Sequence, residues 1–324
     1  MENKMRVDIV ADSLKANKKV SYLSAIFKSM VIKRFKYIRF GHIKLTDGKE
    51  MYSFGNSESE SIIQVDVLSS DFYVLLGSGG ILGAAEAYTA GCWKSNDLVA
   101  LIRTIFRNKD VMSRLDSGWA LLAKPLNLFV HWLQKNSLSG SKQNILSHYD
   151  LSNEFYQLWL DETMTYSCGY FKNKYSTMKD ASVEKLDRIC RKLNIQTEDS
   201  ILEIGTGWGS FAIYAARNYG CNITTTTISD AQYEFAKDRI QRAGLEHKIT
   251  LLKDDYRNLS GQFDKIVSIE MIEAVGHQFV PLFLKKVSSL LKKDGLFAMQ
   301  GITYNDQEFD TYKGSVDFIK KYIF

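Results

Sequence analysis

Glu270 and Glu273 stand three residues apart in "SIEMIEAVGHQF" (268–279), directly after the apolar run "FDKIVSI". Two carboxylates at the end of a buried strand can hold a cation, share a proton, or serve as first-turn acids favoured by a helix dipole. Gly276 and His277 follow, where the next helix can begin. A second cluster lies upstream: "EIGTGWG" sets Gly205, Gly207 and Gly209 at a strand-to-helix turn, with Glu203 just before it. Glycines there let the backbone approach a ligand, and a helix N-terminus presents free N–H groups. The GxGxG spacing differs from the GxGxxG of dinucleotide folds. It suits a ligand carrying an adenosine and a carboxylate rather than a pyrophosphate, although a structural glycine turn would read the same way.

The next strand, "CNITTTTIS", lacks the acid that usually holds ribose hydroxyls. Thr227 and Gln232 are the first suitable polar groups, and Asp230 reads as a helix cap. The four cysteines (Cys92, Cys168, Cys190, Cys221) form no CxxC pair, so neither zinc nor a disulfide framework is indicated. If one of them is special it is special alone; Cys168 by itself, like the other three, reads as a small buried hydrophobe.

The elements that must position these residues follow from the pattern after about residue 146, where strands and helices alternate. "SILEIGTG", "CNITTTTIS", "KITLLKDDY", "FDKIVSIE" and "GLFAMQGITY" read as strands. "WGSFAIYAARNYG", "DAQYEFAKDRIQRAG" and "GHQFVPLFLKKVSSLLKKDG" read as helices, the first closed by Gly220 and the second by Gly244. Such alternation predicts an α/β, doubly wound, mainly parallel Rossmann-like sheet. Residues 1–125 read as a smaller α+β domain, with a hairpin about Asp47-Gly48. A strand, a Gly-rich turn and helices follow in "SIIQVDVLSSDFYVLLGSGGILGAAEAYTAGCWKSNDLVALIRTIFRN". Residues 126–145 read as a linker and 146–324 as the second domain.

The 324 residues carry 45% hydrophobic and 24% charged residues, a globular balance. No apolar run approaches the ~18 residues of a transmembrane helix, and the N-terminus lacks a signal-peptide pattern. A cytoplasmic location is therefore expected. The net charge is +5, yet residues 1–45 hold eleven basic and three acidic residues, so the whole positive excess sits there. "FKSMVIKRFKYIRF" interleaves Lys and Arg with apolar residues, as an interfacial helix on an anionic membrane does. A solvated helix packed on its own domain has the same composition. No RNP, zinc or helix-turn-helix pattern supports nucleic acid.

Three stretches, "HYDLSNEFYQLWLDETMTYSCGYF" (148–171), "LEIGTGWGSFA" and "SIEMIEAVGHQF", together resemble the cyclopropane-fatty-acyl-phospholipid synthases and their mycolic acid relatives. "AEAYTAGCWKSNDL" and "YKGSVDFIKKYIF" fit the same family, so the likeness covers nearly the entire chain. The resemblance implies an S-adenosylmethionine-dependent methyltransferase fold. The implied reaction turns a cis double bond of a membrane phospholipid acyl chain into a cyclopropane ring, or in relatives places a methyl branch. It implies that Tyr166 and Ser167 meet the methionine end of the cofactor, and that Gly205, Gly207 and Gly209 floor it beside Glu203. Thr227 and Gln232 match the family's "TLSxxQ" on the ribose side, and Tyr256 and Arg257 flank the adenine. It implies a bicarbonate ion held by Cys168, Glu273, Gln300, the backbone of Ile302 and a tyrosine in the family's C-terminal stretch. Some family members have His where this chain has Gln300. Relatives continue with "PGG" after the equivalent of "KKYIF", so the last strands of the sheet and that tyrosine are expected to be missing here, leaving an open sheet edge. Glu270 is expected to support the cofactor side or the fold, and His148 and Asp150 to line a lid.

The implied chemistry delivers a sulfonium methyl to an alkene, a poor nucleophile, and then removes a proton from the new methyl group. Tyr149, Tyr166, Tyr170 and Phe171 are candidates to steady the intervening carbocation in a dry apolar tunnel. The implied partners are unsaturated acyl chains at the inner face of a membrane, with a homodimer left open. Two other readings compete: a small-molecule amine methyltransferase on the same core, and a truncated, inactive cofactor- or lipid-binding remnant.

Overall fold

The alternation in "HIKLTD" and "EMYSFG" gives two strands, β1 (His42–Asp47) and β2 (Glu50–Gly55), paired antiparallel across Gly48 and Lys49 as the sequence predicts. They belong to a computed structural model that describes residues 20–58, 62–110, 152–314 and 316–322. The chain divides into two compact units, Met1–Trp132 with Thr311–Lys321, and Leu133–Asp310 with Tyr322–Phe324. The sequence analysis ran the second domain to residue 324, whereas Thr311–Lys321 groups with the first unit, where Lys321 pairs with Glu86 at 2.6 Å. The expected linker at 126–145, and His148, Tyr149 and Asp150, lie outside the described residues.

In the first unit, α1 (Val20–Phe35) precedes β1 and β2, and β3 (Ile62–Val67), α2 (Asp71–Thr89), β4 (Trp93–Ser95) and α3 (Leu98–Arg107) follow. The sheet order is β2-β1-β3-β4. Phe27 and Val31 of α1, Phe72, Tyr73 and Leu76 of α2, and Ile43, Leu45, Ile63 and Val65 of the strands form its core. The glycine-rich stretch is not a turn between elements. It lies within the helical span of α2, which kinks at Gly80 (φ +58°). A Cβ at Gly77 would come within 2.2 Å of the Phe27 ring, so glycine there allows α1 and α2 to approach. Lys28, part of the basic N-terminal run, is turned inward. It bonds Asp47, and Glu50 at 2.7 Å.

The second unit opens with α4 (Asn153–Gln157) and α5 (Met178–Lys192). β5 (Ser200–Ile204), α6 (Ser210–Tyr219), β6 (Asn222–Thr226), α7 (Asp230–Arg242), β7 (Ile249–Leu252) and β8 (Phe263–Ile269) come next. The short α8 (Ile272–Val275), α9 (Val280–Leu290), β9 (Leu291–Gln300) and the first part of α10 (Asp306–Lys313), up to Asp310, complete it. All five strands are parallel in the order β7-β6-β5-β8-β9. β5 is central because it is apolar on both faces: Ile201 packs in the layer with α5 and α6, and Leu202 and Ile204 in the layer with α9. The direction of winding reverses between β5 and β8, and ligands bind such sheets at the carboxyl ends flanking that point. Among the described residues β9 is an edge strand of this sheet.

Two local expectations are corrected. "KKDG" continues the strand pattern rather than α9: β9 begins at Leu291, paired with Phe263, and Lys292 bonds Asp264 at 2.8 Å. Pairing along β8 outweighs the helical periodicity of that lysine-rich stretch. Ser229, not Asp230, caps α7, its hydroxyl accepting from Gln232 N. Asp230 instead pairs with Lys253 at 2.6 Å. Gly220 ends α6 in the left-handed conformation, as expected.

Candidate active site

The glycine loop leaves β5 at the winding reversal. Gly205, Gly207 and Gly209 have φ of +100°, +53° and +87°, so each needs the freedom that only glycine has at little cost. Gly205 N and Thr206 N donate to Thr226 O at 3.1 and 3.0 Å, fastening the loop to β6. A Cβ at Gly207 would meet nothing within 4 Å, so open space lies over the turn. Arg239 clasps the loop from α7, donating to Trp208 O at 2.8 Å and Thr163 O at 3.0 Å.

Glu203 is 2% exposed and accepts from Thr225 Oγ1 at 2.6 Å. Burial, opposed by that hydroxyl, pushes its carboxyl up to about 8. It is therefore a neutral buried acid supporting the loop, rather than a free carboxylate facing a ligand. Thr227 donates to Gln232 Oε1 at 2.9 Å, so these two candidates meet, both buried. Tyr256 packs edge-on against Phe283, with ring centroids 5.3 Å apart. The Arg257 guanidinium is bonded to Asp255 at 2.8 and 2.6 Å.

At the ends of β8 and β9 the acids separate. Glu270 ends β8 with φ +47°, a left-handed conformation costing about 1 kcal/mol or more for a residue with a side chain. Its N–H donates to Gln300 O at 2.8 Å, and its Oε1 accepts from Cys168 N at 3.1 Å and Gln300 Nε2 at 2.7 Å. Gln300 Nε2 also lies 3.4 Å from Cys168 Sγ. The acid that meets Cys168 and Gln300 is thus Glu270, which the sequence analysis assigned to support. Glu273 Oε1 accepts from Ile302 N at 2.5 Å, so these two candidates meet each other and the Ile302 N–H expected to hold bicarbonate is already engaged. Glu273 Oε2 is buried without a hydrogen-bond partner.

Burial, with the charge and hydrogen bond of Glu270, raises the Cys168 thiol above its usual range, and Lys185 only partly opposes this. Cys168 is therefore a neutral S–H at physiological pH. The other three cysteines are buried.

Tyr166 stacks within an aromatic group, its ring 5.4 Å from Tyr156 and 5.2 Å from Trp159. Trp208 of the glycine loop joins at 4.8 Å from Tyr156 and donates to Asn153 Oδ1 at 2.8 Å. Phe171 is exposed, and the face of Tyr170 is covered by Arg188 at 4.5 Å, so Tyr170 is less available to a passing cation. Ser167 Oγ accepts from Lys185 Nζ. His277 packs edge-on against Phe309 within a short 3-10 turn, His277–Phe279.

Sequence reasoning missed Lys185, Arg239 and the aromatic group about Tyr156 and Trp208. A signal for Lys185 was present: it shares a helical face with Ala181, Ser182, Leu186 and Cys190, where a lysine is out of place. Among the described residues no cluster of His, Cys, Asp and Glu could hold a metal.

A family model described as mycolic acid cyclopropane synthetase matches residues 136–324. The chain belongs to that family. Among curated relatives it is 34% identical over 256 residues to tuberculostearic acid methyltransferase UfaA1 of Mycobacterium tuberculosis, covering 77% of this chain and 59% of that protein. It is 33% identical over 263 residues to the cyclopropane-fatty-acyl-phospholipid synthase of Escherichia coli K12, covering 80% and 65%. The chain thus spans less than two thirds of the length of either relative. Among solved structures, cyclopropane synthase MmaA2 from Mycobacterium tuberculosis superposes with a TM-score of 0.50 at 28% identity, over 55% of this chain and 62% of that one. The parallel sheet of the second unit is accordingly the Rossmann-like fold of S-adenosylmethionine-dependent methyltransferases, as the motif resemblance implied.

Proposed function

We propose that this protein carries a methylene from S-adenosylmethionine onto the cis double bond of an unsaturated phospholipid acyl chain, closing a cyclopropane ring, with bicarbonate as the base. The observation that carries this reading is the convergence at the carboxyl ends of three adjacent strands, β5, β8 and β9. The glycine loop opens beside the winding reversal, and the Cys168–Glu270–Gln300 and Glu273–Ile302 groups gather at the ends of the next two strands.

The residues fit both absent groups. The three positive-φ glycines and the open space over Gly207 suit a cofactor pressed against backbone. The orphaned Glu273 Oε2 offers an acceptor to a hydroxyl, and the Gln300 amide and Cys168 thiol offer donors, a set complementary to hydrogen carbonate. When bound, S-adenosylmethionine supplies an electrophilic methyl on a sulfonium. Bicarbonate, when bound, supplies a weak base that does not trap a carbocation as a stronger nucleophile would.

The chain's own groups orient and insulate. The Ser167 hydroxyl, which accepts from Lys185, would serve the methionine end, and the aromatic group around Tyr166 would offer π faces to positive charge. The cofactor would supply its methyl to the alkene with cleavage of the methyl–sulfur bond and release of S-adenosylhomocysteine, and Glu273 and Gln300 would hold the bicarbonate that takes the proton from the new methyl as the ring closes. A neutral Cys168 thiol can hydrogen-bond an anion but is a poor nucleophile toward the carbocation.

A peripheral location on the inner face of a membrane is supported by α1, which exposes Leu23, Ile26 and Met30 on one face and carries Lys33 and Arg34 in its last turn. No helix among the described residues is long and apolar enough to cross a membrane. Incubation with methyl-labelled cofactor and vesicles of unsaturated phospholipid tests the proposal: label in acyl chains supports it, and label confined to amines overturns it.

A further inference from the structure

Lys185 is the charged group with no part in the scheme above. It lies on the buried face of α5, 4% exposed, between Ala181, Ser182 and Leu186. A lysine held there without purpose would be costly, because burial disfavours its charged form. Its Nζ donates to Ser167 Oγ, on the segment that precedes α5. The charged and titratable groups around it are Glu270 at the end of β8, and Cys168 and Asp161 on the loop between α4 and α5. Asp161 is itself engaged, accepting from Ser182 Oγ at 2.8 Å and Thr163 N at 2.8 Å.

We propose that Lys185 is a positioning residue that couples the cofactor end of the site to its catalytic end. Its ammonium occupies the acceptor side of the Ser167 hydroxyl, and its charge compensates the Glu270 carboxylate that aligns Cys168 and Gln300. With that acceptor side taken, the Ser167 proton is directed outward, as a donor to the carboxylate of an amino-acid-bearing ligand. Glu270 Oε1 accepts from both Cys168 N and Gln300 Nε2. The inference rests on the cofactor assignment proposed above, but its test does not require lipid transfer.

Loss of the Lys185 proton gives its amine a lone pair, which lets the Ser167 bond reverse and competes with the ligand for the hydroxyl proton. Burial, opposed by Glu270, Cys168 and Asp161, brings Lys185 down to about 8, so the reversal falls in an accessible range.

The experiment compares wild type, Lys185→Arg and Lys185→Met by calorimetric binding of S-adenosylhomocysteine between pH 6.5 and 9.5. Ligand titration is common to all three proteins, so differences between their profiles report on residue 185. Wild-type affinity should fall about tenfold more across this range than that of Lys185→Arg, and Lys185→Met should bind about tenfold more weakly at pH 7, the scale of one lost hydrogen bond to a charged group. In the ligand-free proteins, Cys168 alkylation by iodoacetamide at pH 7.5, read on its peptide by mass spectrometry, should be slower in Lys185→Met, which lacks the cation that favours the thiolate. Unchanged affinity profiles and unchanged Cys168 alkylation in Lys185→Met would overturn the proposal. If the variants do not fold, carbon-13 lysine NMR of the wild type decides: a resonance titrating near pH 8 upholds it, and a buried lysine titrating only above pH 10 overturns it. If no S-adenosylhomocysteine binds at all, the cofactor assignment fails, while the alkylation and NMR still decide the role of Lys185.

Discussion

Replacing Glu203 by glutamine separates a neutral buried acid from a charged cofactor ligand. The carboxyl is 2% exposed, with Thr225 Oγ1 donating to it, and burial lifts it from 4.5 to about 8. Between those values the unfolded chain has released the proton and the folded protein has kept it. Stability therefore falls as pH rises through that window. At about 1.4 kcal/mol per pH unit, the loss reaches at most about 5 kcal/mol by pH 8. Glutamine keeps the shape and an acceptor for Thr225 but has no proton to lose. Urea unfolding of both proteins at half-unit steps from pH 4.5 to 8.5 should show the variant gaining on wild type steadily, with similar stability at the acid end. Affinity for S-adenosylhomocysteine at pH 7 should change less than threefold. A pH-independent stability difference, combined with a loss of affinity of tenfold or more, would refute the reasoning and restore Glu203 as a charged ligand.

Further outcomes concern the two carboxylate groups, the loop clasp and the basic helix. Cys168→Ala and Glu273→Gln should each reduce turnover more than cofactor affinity, read as kcat against the dissociation constant of S-adenosylhomocysteine; equal losses in both would contradict their assignment. Glu270→Gly relieves a left-handed φ of +47° but removes the acceptor shared by Cys168 and Gln300 and the carboxylate beside Lys185; turnover should drop at least about tenfold, and full retention of turnover would contradict the assignment. Arg239→Met frees the carbonyls of Trp208 and Thr163 and should weaken cofactor binding by about tenfold, with Arg239→Lys intermediate. Deleting the basic segment would also remove the core residues Phe27 and Val31. Changing Lys33, Arg34, Lys36 and Arg39 to glutamine leaves that core intact, and should reduce sedimentation with anionic vesicles, most at low salt.

Much of the site was legible because it rests on local rules. The glycine spacing foretold a strand-to-helix turn, and all three glycines in it adopt positive φ. Strand–helix alternation foretold the parallel sheet and hence which strand ends converge. The pairing of Thr227 with Gln232 lies within five residues, inside the reach of sequence reasoning. The partners of Glu270 are distant: Cys168 is 102 residues away and Gln300 thirty. Choosing between Glu270 and Glu273 therefore needed the backbone to show which acid turns back over β9. "KKDG" was misjudged for a related reason, since pairing with β8 overrode a helix-like local composition. Arg239 escaped because it serves main-chain oxygens that carry no sequence signature, whereas the signal for Lys185, a lysine on an otherwise buried helical face, does not name its partner Ser167.

The central claim is tested most directly with a cofactor whose transferable methyl carries three deuteriums, supplied with unsaturated phospholipid vesicles, the acyl products being read by mass spectrometry. Ring closure by proton loss from the transferred methyl predicts cyclopropane acyl chains that retain two of the three deuteriums. Acyl chains without label despite bound cofactor, or a methyl-branched product retaining all three, would contradict it.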